Sequence, residues 1–251
     1  MKEIISTINQ KGGTGKTSTA LALAAGSKIK GYNVLCIDLD PQCNLSYSMG
    51  AKTDGETSLD LLTGDVTAPA AVQRTPQGDI IAASPALSGA DLTITQTGKE
   101  YRLREALEAI RGSYDYCIID VPPSLGVLTV NALTAADSVI IPADATAYSL
   151  MGITQLYDTI DTIRKYCNPA LTVRGIVLTR YSPRSILSRD MRQMIEAAAV
   201  QRGTRIFETA IRENISIKEA QASQQDIFSY APRSNGAADY MALVNEIIPD
   251  R

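Results

Sequence analysis

The chain has 251 residues, of which 45% are apolar and 20% are charged, enough for one α/β domain with a sizeable core. Its formal net charge of −3 gives no overall sign of nucleic-acid binding, so any such surface must be a local patch. Because the sequence contains no histidine, it excludes histidine acid–base catalysis, Ser-His-Asp triads and histidine metal sites.

The four cysteines form no Cys-x-x-Cys pair, and Cys36 and Cys117 lie in apolar runs that favour small buried side chains. This pattern argues against disulfides and iron–sulfur clusters, and it fits a reducing cytoplasm. No apolar stretch is long enough to cross a bilayer, and the first residues do not resemble a signal peptide.

Segments typical of strands alternate with segments typical of helices along the whole chain. The predicted strands are Glu3–Ile8, Asn33–Ile37, Asp79–Ala83, Tyr114–Ile119, Ser138–Ile141 and Leu171–Leu178. The predicted helices are Lys16–Lys30, Ser58–Leu62, Lys99–Arg111, Met151–Tyr166, Ile186–Arg202 and Gly236–Ile248. Alternation of this kind predicts an α/β fold: a mostly parallel, twisted sheet with helices on both faces.

A glycine-rich loop joins the first predicted strand to the first predicted helix. It reads Lys11-Gly12-Gly13-Thr14-Gly15-Lys16-Thr17-Ser18. Glycines let successive backbone N–H groups turn toward an anion, and the helix N-terminus adds the positive end of its dipole. We therefore predict a phosphate-binding loop, in which Lys16 reaches the β- and γ-phosphates and the Thr17 hydroxyl ligates Mg²⁺.

Aspartates stand at the ends of two further apolar strands. Asp38 and Asp40 follow the second predicted strand, and Asp120 ends the run Tyr116–Ile119. Ligands of open α/β sheets bind at the carboxyl ends of the strands, so these carboxylates belong beside the phosphate loop. An aspartate at a strand end is often only a turn former, but beside such a loop Asp120 is typical of a Walker B residue in the Mg²⁺ shell.

The phosphate loop departs from the ordinary Walker A pattern, because Gln10 occupies the first glycine position and a second lysine, Lys11, begins the loop. This resembles the deviant Walker A loop of the ParA/MinD family. Further segments resemble the same family in order: Asp38-Leu39-Asp40-Pro41-Gln42-Cys43-Asn44, Asp120-Val121-Pro122-Pro123-Ser124, Leu128–Leu133, Ala136–Pro142, Ser149–Gly152 and Tyr230–Ala237. The resemblance is closest to the small ParA/Soj partition ATPases.

The resemblance implies a Mg²⁺-dependent ATPase that converts ATP and water to ADP and phosphate. It implies that Asp40 positions the attacking water, and that Asp38 supports the Mg²⁺ shell through Thr17. It further implies that Lys11 crosses a dimer interface to the partner's nucleotide, and that Asn214 lies against adenine. ATP is favoured over GTP because the sequence lacks an Asn-Lys-x-Asp guanine motif.

The segment Arg180–Arg212 carries seven arginines against three carboxylates, a local net charge of +4. This resembles the way ParA-like dimers bind duplex DNA, since arginines on one dimer face neutralise phosphates without reading bases. The candidate DNA contacts are Arg180, Arg184, Arg189 and Arg212. The alternative is an ordinary solvated helix face, because several of the arginines have helical spacing.

The resemblance therefore implies a cytoplasmic, nucleoid-associated ATPase that forms a homodimer with ATP. This dimer would bind double-stranded DNA without sequence preference and be released when a ParB-like centromere-binding protein stimulates slow hydrolysis. We expect residues 1–251 to form one domain, without the N-terminal DNA-reading domain of larger plasmid ParA proteins.

The main alternative is a MinD-like membrane-positioning ATPase, or a ParA-like positioner of a protein cargo. A membrane role is disfavoured because the C-terminal segment lacks a cationic amphipathic face and Pro249 blocks a helical extension. A protein cargo stays open, because the ATPase site would look the same.

Overall fold

The computed structural model describes all 251 residues and contains one sheet of eight strands. The strands are β1 Glu3–Thr7, β2 Val34–Asp38, β3 Val72–Thr75, β4 Gly78–Ile81, β5 Tyr116–Asp120, β6 Ser138–Asp144, β7 Thr172–Tyr181 and β8 Ile206–Arg212. Their order is β3-β4-β2-β5-β1-β6-β7-β8, and all neighbours are parallel except β3 and β4. The predicted α/β fold class is confirmed.

Helices cover both faces of this sheet. They are α1 Lys16–Ile29, α2 Asn44–Ser48, α3 Ser58–Thr63, α4 Ala68–Ala71, α5 Ala90–Thr93, α6 Arg102–Glu108, α7 Val127–Ala135, α8 Ala147–Tyr166, α9 Ile186–Gln201, α10 Ile215–Ala222, α11 Ile227–Tyr230 and α12 Asn235–Ile247. Short 3-10 helices occupy Pro85–Gly89 and Lys99–Tyr101, so the helix predicted over Lys99–Arg111 is split in two.

The two strands that the sequence did not predict, β3 and β8, are the edge strands of the sheet. Their side chains are mostly half-buried, in contrast to the fully buried β2 and β5. An edge strand meets solvent along one side, so it needs no continuous apolar run and leaves a weak sequence signal.

The sheet separates two hydrophobic cores. Along β5, Cys117 and Ile119 enter a core shared with α3, α6, α7, α8 and α9, while Tyr116 and Ile118 enter a second core with α1 and α12. Because successive side chains of a strand point to opposite faces, this explains why the strand is apolar throughout. All four cysteines are free, and Cys36 and Cys117 are buried as predicted.

The topology brings the predicted aspartates together at one edge of the sheet. Asp120 is in register with Thr7 of β1 and with Asp38 of β2, at the carboxyl ends of three adjacent strands. β1 lies between β5 and β6, so the loop after it opens at the point where the strand order reverses, the usual ligand position of such sheets. None of the helices combines the length and apolarity needed to cross a membrane.

Candidate nucleotide-binding site

The phosphate loop turns from β1 into α1 through two left-handed glycines. Gly13 and Gly15 have φ angles of +73° and +86°, a region that glycine adopts freely and other residues rarely do. Gly15 is the residue directly before the first turn of α1, whose free N–H groups and dipole face the same space. The loop therefore has the backbone geometry that binds an anion.

Side chains from neighbouring strands hold this loop in place. The Asn9 amide donates to the Pro142 carbonyl at 2.7 Å, and its carbonyl oxygen accepts from the Lys11 backbone N–H at 2.9 Å. On the other side, the Thr179 hydroxyl donates to the Thr14 carbonyl at 2.8 Å. The loop is fixed at both ends before any ligand arrives, which reduces the ordering cost of binding.

Lys16 is enclosed between the loop and the carboxylates below it. Its residue exposure is 7%, and its Nζ donates to the Lys11 carbonyl at 3.3 Å. Burial lowers the pKa of Lys16, whereas the charges of Asp120 and Asp40 act in the opposite direction. Its ammonium group thus lies where a phosphate held by the loop would meet it.

Asp120 lies at the bottom of the site and is 1% exposed. It accepts a 2.6 Å hydrogen bond from the Thr17 hydroxyl and a weaker one, at 3.4 Å, from Thr7. Burial, followed by the charge of Asp38, raises the pKa of Asp120 to about 8. The carboxylate and hydroxyl predicted for the Mg²⁺ shell are therefore in direct contact.

Asp38 is turned toward the start of α2. Its carboxylate accepts from the Asp40 backbone N–H at 3.0 Å and from the Ser46 N–H and hydroxyl at 2.8 and 2.7 Å. Burial raises its pKa to about 6, although the Ser46 and Asp40 hydrogen bonds oppose this shift. The Thr17 hydroxyl contacts Asp120 rather than Asp38, so the implied support of Asp38 through Thr17 is not seen as a direct contact.

The donor set of this site fits Mg²⁺. Two buried carboxylates lie side by side on β2 and β5, and the Thr17 hydroxyl adds a third oxygen. Oxygen ligands are those that Mg²⁺ prefers, together with phosphate oxygens and water. Burial, and to a smaller extent the neighbouring carboxylates, raises the pKa of Asp38 and of Asp120, and a divalent cation bound there would favour their ionised forms.

A cavity of about 740 Å³ opens above the loop, large enough for a nucleoside triphosphate. The predicted nucleotide-site residues that line it are Gly12, Gly13, Gly15, Lys16, Thr17, Ser18, Asp40 and Asn214. Thr14 does not line it and lies underneath, with 1% exposure. Asp40 is 8% exposed and is oriented by the Gln42 N–H at 3.0 Å.

The far wall of the cavity comes from α10, which the sequence did not predict. Asn214 caps this helix by accepting from the Ser216 N–H at 2.9 Å, and Ile217, Lys218 and Gln221 line the cavity from its next two turns. An asparagine before an amphipathic stretch is a helix-start signal, so the N-cap rule could have located this wall.

Lys11 does not line the cavity of its own subunit. Its Nζ donates to both carboxylate oxygens of Asp144, at 2.8 and 3.0 Å, and Arg180 donates to the same carboxylate at 3.0 Å. Burial alone would raise the pKa of Asp144, but the hydrogen bonds from Lys11 and Ser149 and the two cations lower it overall. Sequence reasoning missed Asp144 because the predicted strand ended at Ile141; β6 continues to Asp144, which makes it another aspartate at a strand end.

The four candidate DNA contacts divide into two pairs. Arg180 and Arg212 line the nucleotide cavity, and Arg212 forms a double hydrogen bond with Asp239, with Nη2 to Oδ1 at 2.6 Å. Both guanidinium groups pair with carboxylates of the same subunit, yet their side chains are 44% and 42% exposed, so the DNA role of Arg180 and Arg212 stays a prediction. Arg184, just before α9, and Arg189, in its first turn, are exposed, so a nucleic acid could reach them.

The fold and the site define a P-loop nucleoside triphosphatase with a deviant Walker A loop. A family model described as an AAA domain matches residues 2–173. Chromosome partitioning protein ParA of Caulobacter vibrioides is 40% identical over 98% of this chain and 93% of that protein. Sporulation initiation inhibitor protein Soj of Bacillus subtilis is 39% identical over 98% of both chains. The chain therefore belongs to the ParA/MinD-type family of partition ATPases.

A solved structure shares both the fold and a large part of the sequence. It is cobyrinic acid a,c-diamide synthase from Mycobacterium smegmatis with bound ADP and magnesium, which superposes with a TM-score of 0.79 at 33% identity. The match covers 98% of this chain and 93% of that one. A protein of this fold therefore binds an adenine nucleotide together with magnesium.

Proposed function

We propose that this ParA-like positioning ATPase dimerises when it binds ATP and couples the dimer to sequence-independent DNA binding. ATP and Mg²⁺ are its cofactors. The observation that carries the proposal is the division of the loop's two lysines: Lys16 lines the phosphate cavity, whereas Lys11 does not line it and binds Asp144. A second lysine that does not line its own cavity could serve a neighbouring subunit once its ion pair with Asp144 breaks.

The chemistry is the attack of water on the γ-phosphorus, with cleavage of the bond to the β–γ bridging oxygen and release of ADP and phosphate. The loop N–H groups and Lys16 hold the phosphates, and Asp40 orients the water from the cavity wall. Thr17, Asp120 and Asp38 would hold Mg²⁺, which supplies positive charge to the β- and γ-phosphate oxygens when bound.

Lys11 of the partner subunit supplies the remaining positive charge in this proposal. Charge develops on the oxygens of the transferred phosphoryl group, and a desolvated lysine at the dimer interface stabilises it. Since Lys11 of the same subunit is bound to Asp144, an isolated subunit lacks this group and hydrolyses ATP slowly.

DNA binding is assigned to the exposed start of α9, with Arg184 and Arg189 as phosphate contacts in each subunit. A dimer would present both copies together, and the neutralised phosphates would make binding salt-sensitive and indifferent to sequence. A ParB-like centromere-binding partner would stimulate hydrolysis and release the dimer from nucleoid DNA. Relatives named for chromosome partitioning support a DNA cargo for this chain.

The packing of α12 argues against its use as a membrane-binding helix. Tyr240, Leu243, Val244 and Ile247 are buried in the core shared with α1. The contact is so close that a Cβ at Gly26 would lie 2.5 Å from Val244 Cγ2. The apolar face of α12 is therefore used inside the domain.

The test is binding to random-sequence duplex DNA with ATP, ADP or no nucleotide across a salt titration. We expect binding only with ATP, with affinity falling linearly on a log–log salt plot. ATP-dependent dimerisation without DNA binding in any condition would support the ATPase assignment but indicate a protein cargo instead of nucleoid DNA. Equal binding in all three nucleotide states would contradict the proposed coupling.

A further inference from the structure

A compact charged cluster lies beside the nucleotide cavity. It consists of Lys11, Asp144, Ser149 and Arg180, which we call the Asp144 cluster. The Asp144 side chain is 12% exposed, and it accepts hydrogen bonds from Lys11, from Arg180 and from the Ser149 hydroxyl. One carboxylate is thus shared by two cations.

The Lys11 backbone cannot follow its side chain. Its N–H is bound to Asn9, and its carbonyl accepts from Lys16 Nζ and from the Thr14 hydroxyl, both at 3.3 Å. Any move of the Lys11 ammonium toward another subunit is therefore a rotation of the side chain, which must break its ion pair with Asp144 and a weaker 3.4 Å hydrogen bond to the Thr146 hydroxyl.

Arg180 reaches Asp144 from an unusual backbone conformation. Its φ is +49°, one of three positive values outside glycine in the chain, and it lies near the end of β7. Non-glycine residues in this region carry a conformational cost and persist where surrounding contacts hold them. Here the guanidinium is directed at the carboxylate that also holds Lys11.

We propose that Asp144 is a positioning residue that retains Lys11 in its own subunit before ATP binds, and that Arg180 is the counter-ion that permits its release. The inference rests on the proposed role of Lys11 across the dimer. It adds that Asp144 and Arg180 determine when Lys11 can reach the partner subunit.

The physical argument is competition between two cations for one carboxylate. Stripping the only cation from a mostly buried carboxylate would be strongly unfavourable. Arg180 and Ser149 remain when Lys11 leaves, so Asp144 stays paired and the release of Lys11 is only mildly unfavourable. Removing Asp144 frees Lys11, whereas removing Arg180 makes Lys11 the sole cation and binds it more tightly.

The two substitutions therefore have opposite effects. Because Arg180 also lines the nucleotide cavity, the Lys11→Met background described below separates an effect through Lys11 from a change in nucleotide affinity. The first measurement is the concentration of a non-hydrolysable ATP analogue, with Mg²⁺, that gives half-maximal dimer in sedimentation velocity. Asp144→Asn should lower this midpoint, and Arg180→Gln should raise it, each by roughly twofold to tenfold. The matched controls are Asp161→Asn and Arg202→Gln, an ion pair between α8 and the residue that follows α9, and neither should shift this midpoint.

A second measurement does not depend on dimer formation. In the nucleotide-free protein, the rate of amine acylation at Lys11, followed by mass spectrometry, should rise several-fold in Asp144→Asn and fall in Arg180→Gln. In a Lys11→Met background, neither substitution should shift the dimer midpoint further, because both act through Lys11.

The inference would be overturned if both variants shifted the dimer midpoint in the same direction. It would also be overturned if Asp144→Asn left the acylation rate of Lys11 unchanged. A wild-type chain that stays monomeric with the analogue would contradict the proposed function instead, and the acylation rates would still decide whether Asp144 holds Lys11.

Discussion

Two charged regions of the molecule differ in what determines the positions of their side chains. One is the nucleotide site at the carboxyl ends of the central strands, and the other is the basic segment Arg180–Arg212, which includes the edge strand β8. At the centre, strand register sets the positions of Asp38 and Asp120, and the loop geometry sets Lys16. At the edge, arginines of similar sequence spacing have different fates. Arg212 is bound by Asp239, while Arg184 stays exposed.

This difference shows which kind of pattern carries functional information by itself. A strand–loop–helix motif specifies a binding geometry, because its backbone conformation positions the N–H groups and the lysine that bind phosphate. A basic segment predicts only positive charge. Whether each of its arginines pairs within the protein or stays exposed depends on which carboxylates the fold places beside it. Substitutions in the two regions should therefore differ in size and in kind.

The largest effect is expected at the centre from Lys16→Ala. The loop would lose its enclosed ammonium, and each charged hydrogen bond to phosphate is worth roughly 1.5–3 kcal/mol, so ATP affinity should fall by roughly 100-fold or more. Isothermal titration with ATP and Mg²⁺ measures this. Lys165→Ala on the surface of α8 is the control, and tight ATP binding by Lys16→Ala would refute the phosphate-loop assignment.

Asp40→Ala should separate binding from chemistry at the same end of the sheet. Without an oriented water, hydrolysis should fall by roughly 100-fold, while the loop still holds ATP and the dimer accumulates. Single-turnover phosphate release and light scattering with ATP measure the two properties. Asp40→Asn keeps one oriented oxygen and should lose less; a monomer at saturating ATP in Asp40→Ala would count against this role.

At the edge, the double substitution Arg184→Glu and Arg189→Glu should weaken DNA binding without changing nucleotide affinity. If both arginines neutralise phosphates, the log–log salt slope should become shallower by about one for each phosphate that an arginine no longer neutralises. Arg74→Glu on β3 is the control, since this exposed arginine lies on the opposite edge strand. Equal losses from both edges would show that only the overall charge matters.

The sequence predicted most of the central site because motif, strand ends and loop glycines all point to the same groups. It predicted Lys16, Thr17 and Asp120 in one place, and the Thr17–Asp120 hydrogen bond agrees. It could not predict the pairing of Lys11 with Asp144 or of Arg212 with Asp239, because no sequence motif links either pair and only the fold brings them together. It also missed the α10 wall and both edge strands, whose half-exposed side chains form no continuous apolar run.

The smallest expected effect concerns the free energy of unfolding, because the buried carboxylates of the central site destabilise the nucleotide-free protein. Asp38 and Asp120 are buried side by side, and burial with the neighbouring charge raises the pKa of Asp120 from its ordinary 3.8 to about 8. Between these values the folded state binds more protons than the unfolded state, so the nucleotide-free protein should lose stability as pH rises from about 4 to about 8.

Asp120→Asn should remove this pH-dependent loss of stability, because the amide does not ionise. In EDTA at pH 8 we expect the variant to be more stable than the wild type by on the order of 1 kcal/mol, with a smaller difference at pH 5. Urea unfolding at the two pH values measures it, and exposed Asp161→Asn is the control. The same variant should lose Mg²⁺-dependent hydrolysis. Lower stability of Asp120→Asn at pH 8 would mean that the Thr17 hydrogen bond outweighs the cost of burying the ionised carboxylate beside Asp38.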